Sequence, residues 1–227
     1  MAAGYSAAQV RAAEAPHLAA GEPLMRRAAA ALAATVRRSI GEGDAPTGPV
    51  VLLIGSGDNG GDALFAGAEL AAEGVRVVAV PASERHHVGG GEAAQLAGVH
   101  LLDADPDAAA DALETAALVV DGILGTGTSR SPALRGPARA LVAAAIPVVA
   151  RRGIPVVAVD LPSGIQPDDG SVPDPTVLPA TITVTFGAVK AGLLLEPAAA
   201  YAGRVELVDL GLGPQLAGMT PLIVTAD

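Results

Sequence analysis

The sequence predicts an α/β protein in which a mostly parallel sheet is covered by helices on both faces. Three observations predict it. Seven strand-like apolar runs alternate with segments of helical length, the pattern of repeated strand-helix-strand units. The runs are near-continuous in Val, Ile and Leu, as strands buried on both faces must be. The spacers are rich in alanine, and two Phe, two Tyr and no Trp in 227 residues leave a core of small aliphatic groups on which helices and sheet can approach closely.

Taken in order, residues 6–40 precede the first strand and read as two helices separated near Gly21, Glu22 and Pro23. Leu24, Ala28, Leu32 and Val36 recur every four residues, so the second helix carries one apolar stripe that should pack on the sheet or on a second subunit. "GEGDAPTGP" then reads as a loop, because two helices are too few to build a core of their own. Strands follow at "VVLLI" around residue 51, 75–80, 99–102, 116–120, 155–161, 180–186 and 204–210. Helices are predicted between them at 62–73, 91–97, 107–113 and 136–152. The proline spacing of "PDDGSVPDPTVLP", 167–179, excludes a regular element there.

Composition excludes several classes of function. Apolar types make up 51% of residues, yet no run free of polar and charged residues approaches the roughly 18 residues of a membrane span, so no membrane role is expected. The absence of Cys removes disulfides and thiolate chemistry, and the N-terminus lacks a secretion-signal pattern; a cytoplasmic protein is expected. A formal charge of -10 argues against nucleic acid as the main partner, which needs a concentrated basic face.

In a sheet of this kind ligands sit beyond the carboxyl ends of the strands, and three loops there carry chemistry. The first, "GSGDNGGD", contains Gly55-x-Gly57-x-x-Gly60. Asp58 and Asp62 beside it would repel a pyrophosphate without a cation, and the acidic residue that binds ribose about 20 residues on is missing, Pro81 standing in its place. Taken alone, the loop also reads as a strand-to-helix turn with Asp58 or Asn59 capping the helix. The second, 119–137, offers Gly125, Thr126, Gly127, Thr128 and Ser129, then Arg130 and Arg135, a nest of donors suited to phosphate oxygens, or else a surface loop with solvated arginines. In the third, Asp160 ends an apolar strand and Pro162 with Gly164 forces an immediate turn. A carboxylate there is partly desolvated and rigid, as a general acid or base must be, although an Asp in that position is also a common turn cap.

"GSGDNGGDALFAGAEL", "DGILGTGTSR", "VDLPSGI" and "TITVTFGAVKAGLL" together resemble the successive signatures of the NAD(P)H-hydrate epimerase family, the YjeF N-terminal domain. "EPLMRRAAAALA" is similar to that family's N-terminal helix, so the resemblance spans nearly the whole chain. It implies a Rossmann-like three-layer αβα sandwich, commonly dimeric, that interconverts the R and S forms of hydrated NADH and NADPH, which carry a hydroxyl on nicotinamide C6. It implies a bound potassium ion with Asn59, Asp121 and Ser163 as ligands, a substrate loop of Asp58, Asn59, Gly60, Gly61 and Asp62, and further contacts from Gly125, Thr126, Gly127, Thr128, Ser129, Arg130, Ser131 and Asp160. Asp160 would be the catalytic residue. An ADP- or ATP-dependent NAD(P)HX dehydratase is the implied partner, acting on the S form. "PLIVTAD" resembles the junction to that dehydratase in bifunctional members, so residues 1–227 are expected either as one epimerase domain or as the N-terminal half of a fused enzyme.

The chain departs from the family pattern at Asp58, where an asparagine is usual, at Ala63, where a glycine is common, and in the second loop, where a lysine carried by some members has no clear match and Arg130 is a plausible stand-in with no catalytic role assigned. Lys190 is expected to be solvated, and the adjacent His86 and His87 to bind no metal because adjacent side chains diverge. Ser163 lacks a nucleophile elbow and no His follows it, which weighs against a hydrolase. Two rivals stand beside the epimerase: a nicotinamide-dependent oxidoreductase, on the strength of the glycine pattern, and a binding module on the same scaffold.

Overall fold

The computed structural model describes residues 2–41, 47–128 and 131–225. A short strand β1 (Ala2–Gly4) leads into helices α1 (Ala7–Ala19) and α2 (Leu24–Gly41). Ser6 starts α1 with a capping box, its hydroxyl accepting from the Gln9 N–H while the Gln9 side chain accepts from the Ser6 N–H. The alternating units follow: β2 (Val50–Ile54), α3 (Asp58–Ala72), β3 (Val77–Pro81), α4 (Val88–Leu96), β4 (His100–Leu101), α5 (Pro106–Leu113), β5 (Leu118–Gly122), α6 (Gly136–Arg152) and β6 (Val156–Val159). After the turn-rich stretch come β7 (Ile182–Phe186), α7 (Ala199–Ala202), β8 (Arg204–Val208), α8 (Gly213–Leu216) and β9 (Ile223–Thr225).

The seven predicted strands form one sheet in the order β4-β3-β2-β5-β6-β7-β8, and every neighbouring pair is parallel. Successive residues of β2 show why its sequence is apolar throughout. Val50, Leu52 and Ile54 join the core under α2 and α3, while Val51 and Leu53 join the core under α5 and α6. The chain runs outward from β2 to β3 and β4, then returns to β5 on the other side of β2. That reversal opens a crevice beyond the carboxyl ends of β2 and β5, the position where such sheets bind ligands. The register pairs Leu53 with Asp121 and Ile54 with Gly122, so the first two loops leave the sheet side by side.

The stripe Leu24, Ala28, Leu32 and Val36 is buried, and α2 packs on α3 and on the sheet. Two readings need correction. The glycine-rich loop turns helical at Asp58, one turn before the expected start at residue 62, with Gly57 as N-cap in place of Asp58 or Asn59. Residues 221–225, where no strand is predicted, contain β9, which pairs antiparallel with β1.

Candidate functional site

The first loop is built by close backbone approach. A Cβ on Gly60 would stand 2.0 Å from the Gly55 carbonyl oxygen, so only glycine lets α3 start so near the strand end. With Gly57 at the cap, the Asn59 side chain is free for another task. Its Nδ2 donates to the Val159 carbonyl at 2.6 Å and to the Leu124 carbonyl at 3.2 Å, tying the first loop to the second and third. Gly125 lies over it so tightly that a Cβ would meet Asn59 Oδ1 at 2.2 Å.

Asp121 is wholly buried near the end of β5. Ser163 donates to both of its oxygens, from Oγ at 2.6 Å and from the backbone N–H at 2.8 Å, and the Leu124 N–H donates to Ser163 Oγ at 2.8 Å. Burial pushes the Asp121 carboxyl above its ordinary range, against the opposing pull of the Ser163 bonds. No lysine or arginine pairs with it among the described residues. Asn59 at the start of α3, Asp121 in β5 and Ser163 after β6 are thus linked, through Leu124, into one hydrogen-bonded knot around a buried carboxyl group. Oxygen donors of amide, carboxylate and hydroxyl type suit a hard cation.

Asp160 follows β6 and is the one non-glycine residue with positive φ among those described, at 67°. A left-handed backbone costs about 1–3 kcal/mol and persists where surrounding contacts hold it. Here the contacts are plain. Asp160 Oδ1 accepts from Thr185 Oγ1 and from the Phe186 N–H, each at 3.2 Å, and from Lys190 Nζ. Lys190 also donates to the Phe186 carbonyl at 2.8 Å and is 2% exposed. The expectation of a solvated lysine is therefore wrong: Tyr5 bridges across it, exchanging backbone bonds with Val189 and Ala191, and closes the N-terminal segment over the ion pair.

Asp160 and Lys190 form part of a cleft whose other wall, on α1 and α2, is largely apolar through Val10, Leu18, Leu24 and Met25. Three more carboxyl groups line it, Glu14, Asp58 and Asp62, against the single ammonium of Lys190. Burial first, then the neighbouring Asp160, pushes Asp62 up to about 8; burial also raises Glu14, with Lys190 opposing. Asp62 is 6% exposed and its Oδ1 has no hydrogen-bond partner. Glu14 carried no signal in the sequence, since only folding lays α1 across the strand ends.

Asp58, Asn59 and Thr126 are shared with a second cleft lined by Gly55, Gly57, Gly125, Gly127 and Arg135. Arg11 of α1 donates to the Thr126 carbonyl at 3.1 Å, bracing the boundary between the clefts. Gly60 and Gly61 lie behind this surface, Gly61 against the His87 ring, which itself caps α4 by accepting from the Gly90 N–H. Ser131 lines neither cleft but accepts a bond from the cleft residue Arg135, Thr128 belongs to the short turn 126–128, and Ser129 and Arg130 lie outside the described residues.

Fold and site define a three-layer α/β protein with a two-part cleft at the switch point of its sheet, one part apolar with acid-base groups and the other lined by glycines and an arginine. The family model described as "YjeF-related protein N-terminus" matches residues 21–192, and the chain belongs to that family. A protein of Clavibacter michiganensis subsp. michiganensis named NAD(P)H-hydrate epimerase is 57% identical, the match covering 98% of this chain and 96% of that protein. One of Microbacterium testaceum with the same name is 48% identical over 99% of this chain and 84% of its own length. A Mycobacterium tuberculosis protein named bifunctional NAD(P)H-hydrate repair enzyme is 42% identical over 92% of this chain, which corresponds to 41% of that longer protein. The crystal structure of the yeast protein ynu0 superposes with a TM-score of 0.75 at 20% identity, covering 98% of this chain and 96% of that one, and shares the fold.

Proposed function

We propose that this chain is an isomerase that interconverts the R and S hydrates of NADH and NADPH at nicotinamide C6. The observation that carries the proposal is the Asp160–Lys190 pair, held rigidly in a cleft with one apolar wall that continues into a glycine-lined cleft. The apolar part suits the hydrated ring, while the bare amides, the start of α6 and Arg135 suit the phosphates. The near-full-length relatives named as epimerases support the same reading. An oxidoreductase needs the ribose acid that Pro81 replaces.

The ring nitrogen's lone pair helps expel the C6 hydroxyl as water, leaving a planar iminium cation, and water then adds from the other face. Asp160 exchanges a proton with the oxygen at C6 and its charge stabilises the cation as it forms, while Lys190 and Thr185 fix the direction of its carboxylate. Asn59, Asp121 and Ser163 would hold a potassium ion, whose chemistry when bound is to offset buried negative charge and attract anionic substrate. In the cell the S epimer would pass to an ADP- or ATP-dependent dehydratase, and the chain would act as a cytoplasmic homodimer; no helix among the described residues is long and apolar enough to cross a membrane.

The test is a chiral chromatographic assay of S-NADHX. Wild-type protein should equilibrate it with the R form, and Asp160→Asn, which keeps shape and removes the basic oxygen, should lose roughly a hundredfold or more in kcat. Full activity in that variant overturns the assignment.

A further inference from the structure

Inversion at C6 requires water to leave one face of the ring and enter the other, so a proton must be delivered on one face and removed on the other. Asp160 is badly placed to do both. Its backbone is locked in the left-handed region, and its Oδ1 is tethered by Thr185, the Phe186 N–H and Lys190. A carboxylate so held serves one face.

The same cleft offers a second group. Asp62 stands one helical turn beyond Asp58 on α3, almost fully buried, with an oxygen that finds no partner in the protein. Buried polar atoms are nearly always satisfied, and an orphan lining a cleft is one that a ligand satisfies. Asp160 at the end of β6, Asp58 on its own helix, Glu14 on α1 and Lys190 after β7 all act on it, while His87 packs against Gly61 beside it. Those carboxylates and its burial keep Asp62 protonated at neutral pH, whereas Asp160 has an ammonium bonded to it. Two carboxyl groups in contrasting surroundings are how one cleft runs acid and base chemistry together.

Resting on the epimerase reading, we propose that Asp62 is a second catalytic acid-base group, serving the ring face that Asp160 does not reach. In one direction the Asp62 carboxyl gives its proton to the C6 hydroxyl. The C6–O bond breaks with its electron pair on oxygen, water departs, and the N1 lone pair closes a C6=N1 double bond. A second water then adds to C6 from the other face, the double-bond pair returns to nitrogen, and the Asp160 carboxylate takes the released proton. One water leaves and one enters, and nothing is oxidised or reduced. The opposite epimer uses the two groups in exchanged roles, and proton exchange with solvent resets them.

The experiment follows inversion and oxygen exchange together, using both NADHX epimers in ¹⁸O-labelled water, on wild-type protein, Asp62→Asn and Asp62→Glu. In wild type each inversion carries one label into the hydroxyl. In Asp62→Asn inversion should fall about a hundredfold with KM little changed, while Asp160 alone still exchanges the label on its own face with retention. The ratio of exchange to inversion therefore rises at least roughly tenfold, an uncoupling that a merely structural role cannot produce. Asp62→Glu keeps the acid and should recover part of the inversion, which also covers the case in which the Asn variant does not fold. An Asp62→Asn variant that inverts at the wild-type rate, or that loses inversion and exchange in parallel with a raised KM, overturns the proposal. Wild type that inverts neither epimer faster than buffer overturns the epimerase reading and this proposal with it.

Discussion

At the scale of single residues, the site is governed by how few positive groups answer its carboxyl groups. Asp62 and Lys190 make opposite predictions. The folded-state pKa of Asp62 lies near 8, above the usual carboxylate value, so the native state retains a proton that the unfolded chain releases. The stability penalty is absent at acid pH, grows as pH rises above the unfolded value, and is complete above about 8. Asp62→Asn removes the titration, so its thermal midpoint should gain on wild type steadily between pH 5 and pH 8, as calorimetry at the two values would show. Lys190→Met should do the reverse. It strands the buried Asp160 carboxylate, and losing one member of such a pair costs about 3–5 kcal/mol, measurable by denaturant unfolding. Asp160 was legible as a special residue because an acid at the end of an apolar strand, followed by Pro162 and Gly164, is locally unusual. Lys190 was not, because what surrounds it includes Asp160 and the backbone of Tyr5, both far away in the chain.

The elements repeat this contrast between local and distant causes. The seven strands and the helices between them are written in runs of Val, Ile and Leu and in alanine-rich spacers, and the structure has each of them within a few residues of its expected bounds. The start of α3 was misjudged because Asp58 and Asn59 are common caps, whereas here the packing of Gly60 on the Gly55 carbonyl lets the helix begin early. Pairing of β1 with β9 had no local signal at all, since it joins residues from the two ends of the described chain. The glycines of the loops test this level. Gly60→Ala should destabilise the fold by about 1–3 kcal/mol, the usual cost of forcing a methyl into filled space. Gly125→Ala meets only the Asn59 side chain at close range, so its cost should be smaller than that of Gly60→Ala, whose methyl meets backbone, while turnover falls because the bonds of Asn59 to Leu124 and Val159 are lost.

For the whole molecule, the parallel sheet does the positioning. Its reversal between β2 and β5 brings the Asn59, Asp121 and Ser163 loops to one point, and the return of the chain through β7 places Lys190 beside Asp160. The knot around Asp121 predicts a cation-dependent stability: potassium at about a hundred times its Kd should add about 2.7 kcal/mol over the same ionic strength of a bulky organic cation. Asp121→Asn should abolish that difference in a thermal-shift measurement.

The most direct measurement follows the two NADHX epimers by chiral chromatography in potassium buffer, with wild-type protein, with Asp160→Asn and with no protein. Convergence of either pure epimer on the same mixture, fast with wild type and near the protein-free rate with the variant, is the result predicted. Wild-type protein that leaves both epimers drifting at the protein-free rate would contradict the account.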